Sequence, residues 1–197
     1  HIGRMIANKE EGKLRIEELK NAINKLEIDM DIFLGHEIYY HAEAMEKVIN
    51  NEIFTLANSS YVLFEFNPEV DIQSIHKAIN DTIIEGYIPI IAHFERYECL
   101  DDNIKKCNEL IEMGAYLQAN VRSVIGENGS KIKRFIKKMM KKRLISFVAS
   151  DAHEDRIRKP KYKECYEYVR KKISEEYALK IFYDNQMKVI NDQIIDI

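Results

Sequence analysis

The chain has no tryptophan and, among 197 residues, only three prolines and seven glycines. With so few breakers there is no Pro/Gly-rich linker or low-complexity tract, and residues 1–197 read as a single domain. Its three cysteines, Cys99, Cys107 and Cys165, are an odd number without CxxC spacing. That argues against a disulfide scaffold or an all-thiolate zinc site and favours a reducing, cytoplasmic setting. No stretch approaches the ~18 consecutive apolar residues of a membrane span, and no charged-then-apolar start reads as a signal peptide. Neither sign of charge dominates: 30 Lys+Arg face 33 Asp+Glu, a net charge of −3. A general nucleic-acid binder would carry a basic excess. What the chain does have is 46% hydrophobic residues, enough for a substantial core. It opens on His1-Ile2-Gly3 rather than methionine.

Apolar periodicity divides the chain into alternating helical and strand-like segments. Residues 10–26 carry Leu14, Ile16, Leu19, Ile23 and Leu26 at amphipathic-helix spacing. Residues 43–50, 71–85, 101–113 and 130–143 also read as helices, and the chain is helical again from Pro160 to near its end. Five short apolar runs, 31–35, 61–66, 88–92, 116–119 and 145–149, read as strands. They recur at roughly the spacing of one βα unit. Continuously apolar strands between amphipathic helices predict a parallel sheet covered by helices. Both an open doubly wound sheet and a (β/α) barrel fit. A full barrel usually takes about 250 residues, so a barrel here would be reduced or lack one or two N-terminal units.

The polar residues that follow the strands carry the functional signal. Strand one leads into Gly35-His36-Glu37, strand two ends at Glu65, strand three runs into His93-Phe94-Glu95-Arg96, and strand five into Ser150-Asp151-Ala152-His153. Parallel α/β folds build their active sites at this edge. Glu37, Glu65 and His93 follow one another at intervals of 28 residues, one βα unit, and should meet in one pocket. Carboxylates and imidazoles together suit Mn, Fe or Zn, and bridging carboxylates can hold two ions about 3.5–4 Å apart. Glu65 stands in an otherwise apolar strand, where an unpartnered carboxylate would be costly. Arg96 and Arg158 follow the ligand candidates, and a guanidinium fork matches phosphate oxygens. The inventory points to hydrolysis of a phosphate ester.

The remaining candidates read more plainly. His36, His41 and His76 suit surface or packing roles. The basic run from Lys131 to Arg143 suits the solvated face of a helix, with attraction of an acidic partner as the sharper option. Tyr39, Tyr40 and Tyr97 can line a groove for an aromatic substrate or simply pack. Cysteine-based phosphatase chemistry needs a thiolate in a phosphate-cradling loop, and none of the three cysteines has one.

Gly35-His36-Glu37-Ile38, Leu63-Phe64-Glu65-Phe66, the segment Pro89 to Tyr97 with its Ala-His-x-Glu-Arg-Tyr, and Ala149-Ser-Asp-Ala-His153 occur in that order. Together, across nearly the whole chain, they resemble the bacterial metal-dependent protein-tyrosine phosphatases of the PHP (polymerase and histidinol phosphatase) superfamily, associated with capsular or exopolysaccharide synthesis. The resemblance implies a distorted (β/α)7 TIM-like barrel and a trinuclear, commonly manganese, metal site. It makes His1, Glu37, Glu65, His93, Asp151 and His153 metal ligands, and Arg96 and Arg158 the binders of the substrate phosphate. The implied substrate is a phosphotyrosine protein, the tyrosine-rich tail of a bacterial tyrosine autokinase. Two departures stand out. The family's His-x-His and the acidic residue after it would lie upstream of His1, so the domain reads as N-terminally incomplete, without its first strand. Phe94 replaces the proline of the family's His-Pro-Glu-Arg, which changes backbone stiffness more than chemistry. The competing expectations are a histidinol-phosphatase-like small-molecule phosphoesterase and a non-catalytic fragment with an incomplete metal site.

Overall fold

A computed structural model of the chain describes residues 9–152 and 160–196. Five strands, β1 (Glu37–Tyr39), β2 (Tyr61–Glu65), β3 (Ile88–Ile91), β4 (Tyr116–Asn120) and β5 (Phe147–Ala149), form one sheet in the order β1-β2-β3-β4-β5. Every pairing is parallel. Among them run helices α1 (Lys9–Lys25), α2 (Ala44–Ile49), α3 (Ile72–Ile84), α4 (Ile104–Glu112), α5 (Val121–Ile125), α6 (Ser130–Lys141), α7 (Tyr162–Lys172), α8 (Glu175–Leu179) and α9 (Asn185–Ile190). The strand order decides between the two architectures left open by the sequence. A doubly wound sheet must reverse its direction of growth, and this one never does. Right-handed crossovers that always step the same way put their helices on the same face. The sheet is therefore singly wound.

The two faces bury different cores. Val62, Phe64, Ile91, Leu117, Ala119 and Val148 pack outward against Ile75 and Ile79 of α3, Leu110 of α4, Phe135 and Met139 of α6 and Val169 of α7. On the opposite face Tyr61, Ile90, Tyr116 and Phe147 meet Val189 of α9 and Ile195. The C-terminal tail closes this inner core at the N-terminal ends of the strands. Tyr61 donates its hydroxyl proton to the Gln193 carbonyl at 2.8 Å, and Tyr116 to that of Ile195 at 2.6 Å. The inner face is thus apolar at its base, and its polar side chains are left for the C-terminal edge.

The predicted helices form, with ends shifted by one to three residues. Asp71 caps α3 through the Ser74 amide, at 2.8 Å. α6 buries Phe135, Ile136, Met139 and Met140 and turns its cations outward. Some of these are paired: Lys138 meets Asp102 at 2.8 Å, Lys131 pairs with Asp101, and Lys133 lies over the Tyr168 ring. The expected apolar face of α1 buries only Ile23; Leu14 and Leu19 stay exposed. That face borders an apolar groove of about 760 Å³ against the inner face of the sheet, lined by Ile16, Leu19, Leu34, Phe147 and Val189.

The first strand corrects the expectation. Residues 31–35 form no ladder, and β1 begins at Glu37. The Leu34 carbonyl accepts from Ala57 at 2.9 Å and the His36 amide donates to the Phe54 carbonyl at 3.3 Å, so this stretch pairs with the 54–57 segment instead. Gly35 permits that approach: a Cβ there would sit 2.7 Å from Leu56 Cδ2 and 3.1 Å from Leu56 Cα. Gly35→Ala should therefore cost about 1–3 kcal/mol of stability, read as a lower urea midpoint at unchanged slope. An unchanged midpoint would show that Leu56 yields freely.

Candidate metal centre

Glu65 is the last residue of β2, and His93 follows β3 by two residues. Glu37 opens β1 at the level of Leu63, two residues below Glu65, and its side chain reaches the same histidine. His93 Nε2 lies 3.3 Å from Glu37 Oε1 and 3.3 Å from Glu65 Oε1. One ligand atom from each of the three residues falls within 4.8 Å of the others. His93 is buried, Glu65 partly so, and Glu37 opens to solvent. Although both carboxylates are close, Nε2 makes no well-aligned hydrogen bond. A buried ring nitrogen converging with two carboxylates on one point, rather than bonded to either, suits a shared cation, and the donor set is one that Mn, Fe or Zn accepts.

The electrostatics agree. Burial works against a charged His93, but the adjacent carboxylates of Glu37 and Glu65 outweigh it and raise the imidazole to about 9. Glu65 is lowered in turn, chiefly by His93 and against its own desolvation. In the metal-free protein a proton on His93 supplies the positive charge that these carboxylates require.

Tyr97 secures the histidine from behind. It is 1% exposed and borders the pocket beside Arg96. Its hydroxyl donates to the Ala92 carbonyl at 2.9 Å, accepts the Phe66 amide at 3.1 Å and faces His93 Nδ1 at 3.4 Å. Tyr97→Phe strands the buried Phe66 N–H and Ala92 carbonyl and should cost about 1–3 kcal/mol. Equilibrium urea unfolding would measure this, and an undiminished stability would refute the arrangement.

Asp151 stands beside the trio, outside its 4.8 Å cluster. It accepts from Arg96 Nη1 at 3.5 Å and from Asn120 Nδ2 at 3.1 Å. His93 (φ 31°) and Asp151 (φ 49°) each lie two residues beyond a strand, and both adopt the left-handed backbone region. Such non-glycine residues cost of order 1–3 kcal/mol each and cluster at functional sites. Arg96, Asn120 and Asp151 line a pocket of about 450 Å³ together with Arg122 and Lys131. His1, His153 and Arg158 lie outside the described residues.

Two residues of this site escaped the sequence reading. Glu95 is fully buried, and desolvation pushes its carboxyl up despite help from the Ser123 hydroxyl and the Asn120 amide. Asn120 ends β4, the one strand whose C-terminal end offered no acid or histidine. A lone Asn before a helix gives no signal beyond that of a cap. The other described histidines stay apart from the site. His36 accepts the Phe54 amide at 2.9 Å and stacks on its ring, His41 is exposed, and His76 pairs with Glu109 at 3.4 Å. Cys107 and Cys165 are buried, and desolvation pushes both thiols up to about 12, far from a phosphatase nucleophile.

Comparison with known proteins converges on the same chemistry. Residues 1–191 match the family described as capsular polysaccharide synthesis, CpsB/CapC. The chain is 37% identical to the tyrosine-protein phosphatase CpsB of Streptococcus pneumoniae over 172 residues, 85% of this chain and 71% of that protein. It is 30% identical to the putative tyrosine-protein phosphatase CapC of Staphylococcus aureus over 185 residues, 93% of this chain and 69% of that protein. A solved structure from a study of YwqE from Bacillus subtilis and CpsB from S. pneumoniae, described as unique metal-dependent tyrosine phosphatases, superposes with a TM-score of 0.91 at 26% identity. The superposition covers 100% of this chain and 79% of that one. Family model, relatives and fold agree: the chain belongs to the CpsB/CapC family of capsular polysaccharide synthesis.

Proposed function

We propose that the protein is a metal-dependent protein-tyrosine phosphatase of capsular or exopolysaccharide synthesis, and that its substrate is a phosphorylated bacterial tyrosine autokinase. The observation that carries this reading is the convergence of Glu37, Glu65 and His93 beside Arg96. Relatives named tyrosine-protein phosphatases favour it over a small-molecule phosphoesterase.

In this reading Glu37, Glu65 and His93 hold divalent metal, manganese first among the candidates. Asp151 joins them, and the motif resemblance adds His1 and His153. The bound metal would supply Lewis acidity and lower the pKa of attacking water toward neutrality. The protein's own groups do the rest. Tyr97 fixes the ring of His93 so that Nε2 faces inward. Arg96, now paired with Asp151, turns its fork to the phosphoryl oxygens and offsets the charge that develops on them. Arg158, by resemblance, provides the second fork. The departing tyrosinate, with a pKa of about 10, leaves without a strong general acid.

The singly wound sheet suits the distorted (β/α)7 barrel of the PHP superfamily. No described helix is long and apolar enough to cross a membrane.

The test is metal content after purification with Mn²⁺, together with turnover of a phosphotyrosine peptide and of histidinol phosphate. Roughly two or three ions per chain and preferred peptide turnover support the proposal. Faster turnover of histidinol phosphate would make it a small-molecule enzyme. Absence of both metal and turnover would overturn it.

A further inference from the structure

We infer that Asn120 is a positioning residue that holds Asp151 in place for metal binding; this rests on the metal-site reading above. Asn120 is 5% exposed, and three of its polar groups are engaged by three different segments. Its backbone N–H donates to Glu95 Oε1 at 3.0 Å, which ties the end of β4 to the turn that carries His93 and Arg96. Its side-chain Oδ1 accepts the Arg122 amide at 3.0 Å and caps α5. That bond fixes which end of the amide points where, so Nδ2 is directed at Asp151 Oδ2, 3.1 Å away. With both ends of the amide committed, its rotamer is pinned.

Asp151 needs such support. Its left-handed backbone is unfavourable on its own. The Asn120 N–H, with Arg96 Nη1 3.5 Å from the same oxygen, holds the carboxylate by Oδ2. A cap alone would explain Oδ1, but it would not explain an amide donor delivered to the loop after β5. Partners of this kind typically change metal affinity or activity tenfold to a hundredfold when removed.

Two variants separate the cap from the donor. Asn120→Asp keeps a cap of equal quality but presents an acceptor to Asp151. Asn120→Ser also keeps an acceptor for the Arg122 amide, without charge and without the donor. Thermal melts of the metal-free proteins and Mn²⁺ titrations by calorimetry should be read together. Asn120→Ser is expected to melt close to wild type, and both variants to bind Mn²⁺ about tenfold to a hundredfold more weakly. Asn120→Ser should recover most of its kcat on a phosphotyrosine peptide at saturating Mn²⁺, by mass action. Wild-type Mn²⁺ affinity in both variants would overturn the inference, as would an affinity loss that only tracks a lowered melting temperature. Asp151→Asn serves as the reference. If it loses metal while Asn120→Ser does not, the ligand role stands and the positioning role falls. If it binds Mn²⁺ like wild type, the proposed ligand role of Asp151 fails and this inference fails with it.

Discussion

Glu65→Gln should lower turnover of a phosphotyrosine peptide by about 10³-fold and reduce the Mn²⁺ bound per chain, with the fold intact. Gln keeps the shape of the side chain and removes the charge. Glu65 Oε1 is one of two carboxylate oxygens 3.3 Å from His93 Nε2, on a side chain only 18% exposed. Charge lost there is poorly replaced by water, and metal-assisted charge stabilisation is worth several kcal/mol. At 1.36 kcal/mol per factor of ten, a loss of roughly 4 kcal/mol gives about 10³. Glu65 pairs with β1 only through its backbone, where its carbonyl accepts the Tyr40 amide at 2.8 Å, and the substitution leaves that bond in place. Steady-state kinetics, elemental analysis and a circular-dichroism melt on one preparation would check all three parts. Full turnover in the variant would remove Glu65 from the site.

Arg96→Ala should lower kcat/KM for the same peptide by about 10²–10³-fold, the usual cost of deleting one oxyanion donor. Arg96→Lys should recover little of it, because an ammonium keeps the charge and loses the planar fork. Neither change should affect stability much. The Arg96–Asp151 pair spans 3.5 Å with the arginine side chain 39% exposed, and such pairs contribute about 0–1 kcal/mol. Inhibition by inorganic phosphate gives a second readout: it should weaken in parallel with catalysis. Unchanged phosphate inhibition in Arg96→Ala would place the phosphate elsewhere.

Much of the site was legible because one periodicity carries it. A βα unit repeats every 28 residues through Glu37, Glu65 and His93, and parallel strands return each C-terminal end to the same edge. The same logic failed locally at residues 31–35. An apolar run ending in glycine looks like a strand, but its hydrogen bonds go to residues 54–57, and nothing in its own composition records that partner. Glu95 and Asn120 were missed for a related reason. A glutamate in a turn and an asparagine before a helix are ordinary when read singly, and they become part of the site only through bonds to each other and to Asp151, 31 residues further on. Tyr97 has a role its sequence setting does not record: its hydroxyl bonds the backbone of Phe66 and Ala92.

The sequence by itself determined the alternation of strand and helix, the parallel sheet and the meeting of Glu37, Glu65 and His93 at its strand ends. Those follow from local propensity and from which side chains can be buried. Tertiary structure alone decided that the sheet is singly wound, that Glu37 reaches the site from a lower tier, and that Asn120 stands behind Asp151. These are facts of register and strand order. They arise where segments far apart in the chain find common hydrogen-bonding partners, and the residues involved carry no local mark of where those partners will be.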